Sequence, residues 1–184
     1  MLFEKGSAKQ SLFCTFVSME TCMMKAVKVE ELACVSAMAA DIWRECYASI
    51  LSGEQIEYML DVFLSIDALK KQILEGGYEY FFIEYEGKKA GFVGVRVEGK
   101  RLFLSKLYII KDYRGKGLSR IVLDALERKC SEEKLQAIYL TVNKYNTRAY
   151  DIYIKNGYEV IDDVVTDIGN GYVMDDYVMQ KNIK

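Results

Sequence analysis

The 184-residue chain contains no histidine and no proline. Without histidine, a Ser-His-Asp triad, a Cys-His pair and every His-containing zinc site are excluded. No metal is expected. Without proline, the loops must be shaped by Gly, Asn and Asp. An excess charge is missing too: 25 basic residues face 27 acidic ones. That leaves no global field for nucleic acid, which calls for a basic face, so no nucleic-acid partner is expected. No apolar run approaches the ~18 residues of a membrane span, so no membrane partner is expected either. The five cysteines (Cys14, Cys22, Cys34, Cys46, Cys130) are scattered and form no CxxC. Cys34 and Cys46 sit in helix-like sequence and read as small core residues, which points to a reducing cytosol and a cytoplasmic protein.

What is present is an ordinary balance for a soluble globular protein, 51% hydrophobic and 28% charged. Residues 1–23 match the rest poorly. Lys5 and Lys9 precede the apolar LFCTFV, but that run is short for a signal peptide and no A-x-A site follows. The segment reads as an N-terminal extension, either disordered or the product of an upstream start, ahead of one domain over residues 24–184. A short apolar segment, AVKV, is followed by a helical pattern in which Leu32, Val35, Ala39, Ile42, Trp43, Cys46 and Ile50 share a face. Ser52-Gly-Glu-Gln55 is a capping-box signature: the Ser side chain holds the Gln55 amide while Gln55 reaches back. Ile56, Leu60 and Phe63 give the second helix an apolar side, and IDALKKQIL is a third helical stretch. From Tyr78 the pattern turns to strands: YEYFFIEY, the turn EGKK, AGFVGVRVE, then RLFLSKLYII. Beyond residue 117 come a helix, the strand QAIYLTVN, the short helix NTRAYDIYIKNG, and two strands around Gly169-Asn170-Gly171. The order β, helices, β-β-β, helix, β, helix, β-β predicts one mixed α/β layer structure.

Between the strand RLFLSKLYII and the next helix lies DYRGKGLSR. A helix N-terminus carries amides without intrahelical partners and a partial positive charge. If the preceding loop makes its amides converge, an anion cradle results. Gly115 and Gly117 supply backbone freedom and let a phosphate approach with no Cβ in the way. Arg114, Lys116 and Arg120 add mobile positive charge at the rim. A P-loop would require GxxxxGK[ST], which is absent. A Rossmann fingerprint would require a third glycine and a parallel βαβ setting, whereas here the strand follows a hairpin. Taken alone, the nonapeptide also fits a solvated basic turn ending in a helix-capping glycine.

The wider context is more specific. YRGKGLSR after LSKLYII, with LTVNKYNTRAYDIYIKNGY some twenty residues on, resembles the GNAT superfamily of acyl-CoA-dependent N-acyltransferases. The resemblance implies a GNAT fold: one domain with a central mixed, mostly antiparallel twisted sheet flanked by helices. The family's pyrophosphate loop, R/Q-x-x-G-x-G/A, reads here Arg114-Gly115-Lys116-Gly117-Leu118-Ser119, with serine in the final small position. Its second block matches at Asn146, Ala149, Tyr153, Lys155, Gly157 and Tyr158. The clear match spans residues 78–184. Within the superfamily, SGEQIEYMLDVF and DIGNGYVMDDYVMQK are similar to bacterial small-molecule amine acetyltransferases, polyamine acetyltransferases among them.

The resemblance implies direct transfer of an acetyl group from acetyl-CoA to a small-molecule amine, with no side-chain nucleophile and no metal. The strand holding Leu107-Tyr108-Ile109 is expected to splay from its neighbour, offer main-chain groups to the pantetheine arm and polarise the thioester oxygen. Tyr153 matches the family tyrosine that protonates the departing thiolate; the alternative is a core aromatic beside Ala149 and Ile152. Asn146 contacts the coenzyme, caps a helix, or does both, and Asn143 belongs to the same neighbourhood. Many relatives carry a glutamate base on the strand before the phosphate loop. Phe103-Leu-Ser-Lys-Leu-Tyr108 has no carboxylate, which favours proton loss through water. Asp175 and Asp176 fall mid-strand and face opposite ways, so one at most faces a site, Asp176 being the candidate. Trp43, Tyr47 and Tyr80 are candidate walls of an amine pocket with cation–π contacts. A homodimer is the expected assembly. The rival functions are acetylation of a protein or peptide amine, and an acyl-CoA-binding sensor without turnover.

Overall fold

YEYFFIEY has no polar face, and the structure shows why. A computed structural model describes residues 22–184; the expected extension lies outside the described residues except for Cys22 and Met23. The stretch is strand β2 (Tyr78–Tyr85), covered by helices on both sides, so each face is apolar. Phe81 and Ile83 enter the core half shared with Val122 and Leu126. Tyr80 and Phe82 enter the other half, with Leu32, Val35 and Trp43.

In chain order the other elements are β1 (Cys22–Ala26), α1 (Leu32–Cys46), α2 (Gly53–Leu64), α3 (Ile66–Leu74), β3 (Lys88–Glu98), β4 (Arg101–Ile109), α4 (Leu118–Glu132), β5 (Ala137–Asn143), α5 (Thr147–Lys155), β6 (Glu159–Gly169) and β7 (Tyr172–Asn182). The strands form one sheet in the order β1-β2-β3-β4-β5-β7-β6. All neighbours are antiparallel except β4 and β5. This is the expected GNAT architecture. β1 begins earlier than the expected boundary at residue 24, and Cys22 is buried in the core. Among the described residues Cys22 and Cys130 are the fully buried cysteines, whereas Cys34 and Cys46 are half-buried at the edge of their cluster. Ile50 lies past the end of α1.

The Ser52 hydroxyl accepts the Gln55 amide as the capping signature requires. The Gln55 side chain does not reach back; it donates to the Val173 carbonyl at 3.0 Å. Tyr58 adds a hydrogen bond to the Ile168 carbonyl at 2.6 Å. Together they tie α2 to the β6–β7 hairpin.

Two irregularities shape the centre of the sheet. β4 and β5 pair only from Arg101 to Phe103, against Ala137 to Tyr139, and part beyond that. On the other side of β4, Gly94 pairs with Lys106 but Val95 pairs with Leu104, so Ser105 is an extra residue. The bulge reverses the alternation of side chains. Leu102 and Leu104 face the α4 side. Beyond the bulge, Tyr108 faces α1 instead, and Leu107 and Ile109 take the α4 side. Gly91 pairs with Ile109, and a Cβ there would fall directly onto the Tyr108 carbonyl oxygen. Gly91→Ala is expected to cost on the order of 1–3 kcal/mol through that overlap. A thermal melt checks this as a drop of several degrees, and an unchanged midpoint would show that β4 gives way freely.

Candidate active site

Where β4 leaves β5, the sheet opens into a cavity of about 600 Å³. One end is lined by the glycine loop and the start of α4. Gly115 and Gly117 both have φ of +77°, in the left-handed region, with open space where a Cβ would stand. Gly117 caps α4 without any side-chain hydrogen bond, and the first turn holds no acidic residue. The Leu118, Ser119 and Arg120 amides at the helix start are thus left without a side-chain cap, the arrangement that suits an anion.

The basic residues divide in a way the sequence did not suggest. Arg114 is not a mobile rim charge. Its Nε donates to the Ile109 carbonyl at 2.9 Å, and its guanidinium grips both oxygens of Glu45 on α1 at 2.6 and 2.9 Å. The Arg114 hydrogen bond holds the Glu45 carboxyl below the usual range. Arg114 therefore clamps the loop to α1. Lys116 lies over the Tyr85 and Tyr113 rings, outside the cavity lining. Gly115, Gly117, Leu118, Ser119 and Arg120 all line it.

The middle of the cavity runs along Leu107, Tyr108 and Ile109. On the facing side Asn146 caps α5, accepting the Ala149 amide at 3.2 Å, and its amide nitrogen lies 3.5 Å from the Tyr47 hydroxyl. Capping and cavity contact thus coexist at Asn146. Asn143 accepts the Tyr145 amide at 3.0 Å and also borders the cavity. Tyr153 reaches the same space from α5, its ring edge-on to Tyr158 at 5.5 Å. Burial pushes its phenol well above the usual range, with the neighbouring Tyr47 adding to the shift.

At the far end Trp43 and Tyr47 line the cavity, rings 4.6 Å apart. Tyr80 does not belong to it. That ring is buried in the core and its hydroxyl donates to Gln72 Oε1, because strand alternation points it under α3. Of the paired aspartates, Asp176 faces the cavity, while Asp175 turns to Lys144 at 2.7 Å. Asp176 is 4% exposed, and its Oδ1 has no hydrogen-bond partner. Burial raises its pKa to about 6, helped by Asp175 and opposed by Lys144. A carboxyl with a raised folded pKa binds more protons folded than unfolded, so its contribution to stability falls as pH rises from about 4 to 6. Asp176→Asn is therefore expected to melt higher than the natural chain above pH 6.5, the difference vanishing near pH 4. A pH series of melts checks the sign, and a variant that melts lower at pH 8 would show that Asp176 is satisfied as an anion.

One residue of the cavity had no warning in the sequence. Lys106 borders it, donating to Gln72 Oε1 at 3.1 Å and to Ser105 Oγ at 3.0 Å. Strict alternation would have placed it with Leu102 and Leu104, and only the bulge brings it here. Burial, with Arg96 as a second cause, lowers its pKa to about 7.

Comparison with known proteins identifies this arrangement. A family model described as an acetyltransferase (GNAT) domain matches residues 47–179. The chain belongs to the GNAT acetyltransferase family. It is an acetyl-CoA-dependent N-acetyltransferase. A spermidine N(1)-acetyltransferase of Thermoplasma acidophilum is 24% identical, over 83% of this chain and 94% of its own. An uncharacterized N-acetyltransferase of Lactobacillus delbrueckii is 22% identical, over 73% and 83%. Among solved structures, the PaiA N-acetyltransferase of T. acidophilum in complex with coenzyme A superposes with a TM-score of 0.76. It is 22% identical, over 88% of this chain and 99% of that one. The residues here suit the coenzyme: the uncapped amides and two left-handed glycines leave room for a pyrophosphate against backbone, and the cavity continues past it along β4. Among the described residues no helix is long and apolar enough to cross a membrane.

Proposed function

We propose that this GNAT enzyme acetylates the primary amine of a small molecule, which attacks the thioester directly. The observation that carries the reading is Asp176: a buried carboxylate with one unpartnered oxygen, beside Trp43 and Tyr47, in the same cavity as the anion cradle. An isolated buried anion is costly, and an incoming ammonium relieves that cost. The aromatic wall adds cation–π attraction. The named activity of the T. acidophilum relative, a spermidine acetyltransferase, supports an amine in this place.

Bound acetyl-CoA supplies the acyl group as an activated thioester. The chain's own groups do the rest. The cradle amides and Arg120 fix the pyrophosphate, and main-chain amides of Leu107–Ile109 stabilise the charge developing on the thioester oxygen. At pH 7 an alkylamine is about one part in 10³ neutral, so one proton must leave first, to water in the cavity. The C–N bond then forms, the C–S bond breaks, and the Tyr153 hydroxyl protonates the departing sulfur. The second nitrogen proton also leaves to water, and Tyr153 regains its own. The cytoplasmic location read from the sequence belongs to the same proposal.

Calorimetric titration with acetyl-CoA, followed by a free-thiol assay over an amine panel that includes spermidine and lysine, tests the reading. Micromolar binding with amine-dependent thiol release is the expected result. Binding without release from any amine would leave the sensor or the protein-amine reading in its place.

A further inference from the structure

Two side chains of the cavity, the buried Asp176 and the half-buried Lys106, are withdrawn from water without an opposite charge among the described residues. Asp176 makes no ion pair among the described residues; Lys144, which faces its strand, is committed to Asp175 and Asp163 at 2.7 and 3.3 Å. Lys106 also pairs with no carboxylate among the described residues. Its surroundings are Gln72 from α3, Ser105 of its own strand, the Tyr78 and Tyr80 rings of β2 at 5.3 and 5.4 Å, and Arg96 of β3. Arg96 is itself paired with Glu98. The Gln72 amide is fixed, because its Nε2 donates to the Phe63 carbonyl at 2.9 Å and its Oε1 already accepts Tyr80. Two hydrogen bonds thus hold Lys106 in place, and a protonated Nζ keeps a third N–H without a partner.

Resting on the proposed amine-acetyltransferase function, we infer that the substrate carries an anionic group remote from its amine. Asp176 receives the ammonium and Lys106 receives the anion, most simply a carboxylate.

The separation of the two groups restricts the class further. Lys106 stands on β4 and Asp176 on β7, with β5 between them in the sheet. Two strand spacings put their backbones about 10 Å apart or more, and the parting of β4 from β5 widens this. An α-amino carboxylate is too short to meet both. An ω-amino acid, or a basic amino acid acetylated at its side chain, spans the distance. A polyamine offers Lys106 only a second cation. The charge states fit such a ligand. Burial holds Asp176 at about 6 and Lys106 at about 7, so at pH 7 the first is mostly ionised and the second about half, and a bound counter-charge draws each further into its ionised form. The groups facing Asp176 that bear on this are Asp175, Lys144 and Tyr47.

The experiment compares 6-aminohexanoate with 1,6-diaminohexane, which differ only in the remote group, using the purified full-length protein and acetyl-CoA. The natural chain is expected to favour 6-aminohexanoate in kcat/KM by about 10-fold or more, the scale of one charged hydrogen bond. Lys106→Met should lower that ratio by at least 10-fold, and Lys106→Arg should restore part of it. The KM for 6-aminohexanoate should rise above pH 7 as Lys106 loses its proton, while that for the diamine should not. The substrate comparison needs no variant, so a misfolded Lys106→Met would not shelter the idea. Equal use of the two amines, or preference for the diamine, overturns this inference and leaves the amine-acetyltransferase reading standing. Thiol release from neither compound nor any other amine overturns both.

Discussion

Tyr153→Phe is expected to lower kcat by about 10²-fold or more, the usual worth of a positioned general acid, while acetyl-CoA binds nearly as before. The substitution removes one oxygen from a half-buried ring whose other contacts, including the edge-on packing with Tyr158, are retained. No hydrogen bond engages that hydroxyl among the described residues, so its loss strands no partner. Its pKa is pushed up by burial, so the phenol is protonated at every working pH. A high pKa weakens an acid, but the same burial around Tyr153 also destabilises the leaving thiolate and raises its proton affinity. Single-turnover kinetics at saturating acetyl-CoA, paired with a binding titration, separates the two effects. An unaltered rate would remove Tyr153 from the chemistry and leave it a packing residue.

Gly117→Trp should weaken acetyl-CoA binding by at least about 10-fold, or ~1.4 kcal/mol. Two causes contribute, and a second substitution divides them. At a φ of +77°, any residue with a Cβ is strained, by about 1–2 kcal/mol. Gly117→Ala carries that strain alone. The indole of Gly117→Trp also fills the open space through which a pyrophosphate must reach the amides of Leu118 and Ser119. Calorimetry should therefore find a larger loss for Trp than for Ala. Equal affinities for both variants and the natural chain would mean that the loop is only a turn.

Much of the fold is legible in local stretches of the chain. β2 through β4 carry their strand signal in runs of aromatic and β-branched residues, and the helix caps at Ser52, Ser65 and Asn146 act within three residues. The cradle is legible for the same reason: two glycines, a helix start and the lack of a capping side chain are neighbours in the chain. The wall residues Trp43 and Tyr47 follow from a single helix face. Misplaced residues all depend on partners in other elements of the fold. Arg114 is turned away by Glu45, 69 positions earlier. Tyr80 is held by Gln72 beneath α3. Gln55 finds a carbonyl 118 residues on instead of its own cap. In each case a polar side chain takes the partner that the packing of the elements brings within reach, and sequence distance does not enter that preference.

The sequence by itself determined the chemistry available: no imidazole, a glycine-flanked helix start without a capping side chain, a tyrosine on the helix after β5, and one aspartate of two on each face of β7. Only the tertiary structure decided which groups share the cavity. Alternation says that Asp175 and Asp176 face opposite ways, but the packing of α1 and α2 selects the side on which Asp176 is buried without a counter-ion. Lys106 reaches the same space because one extra residue in β4 reverses the pleat. A bulge is a property of two paired strands, and neither strand announces it alone.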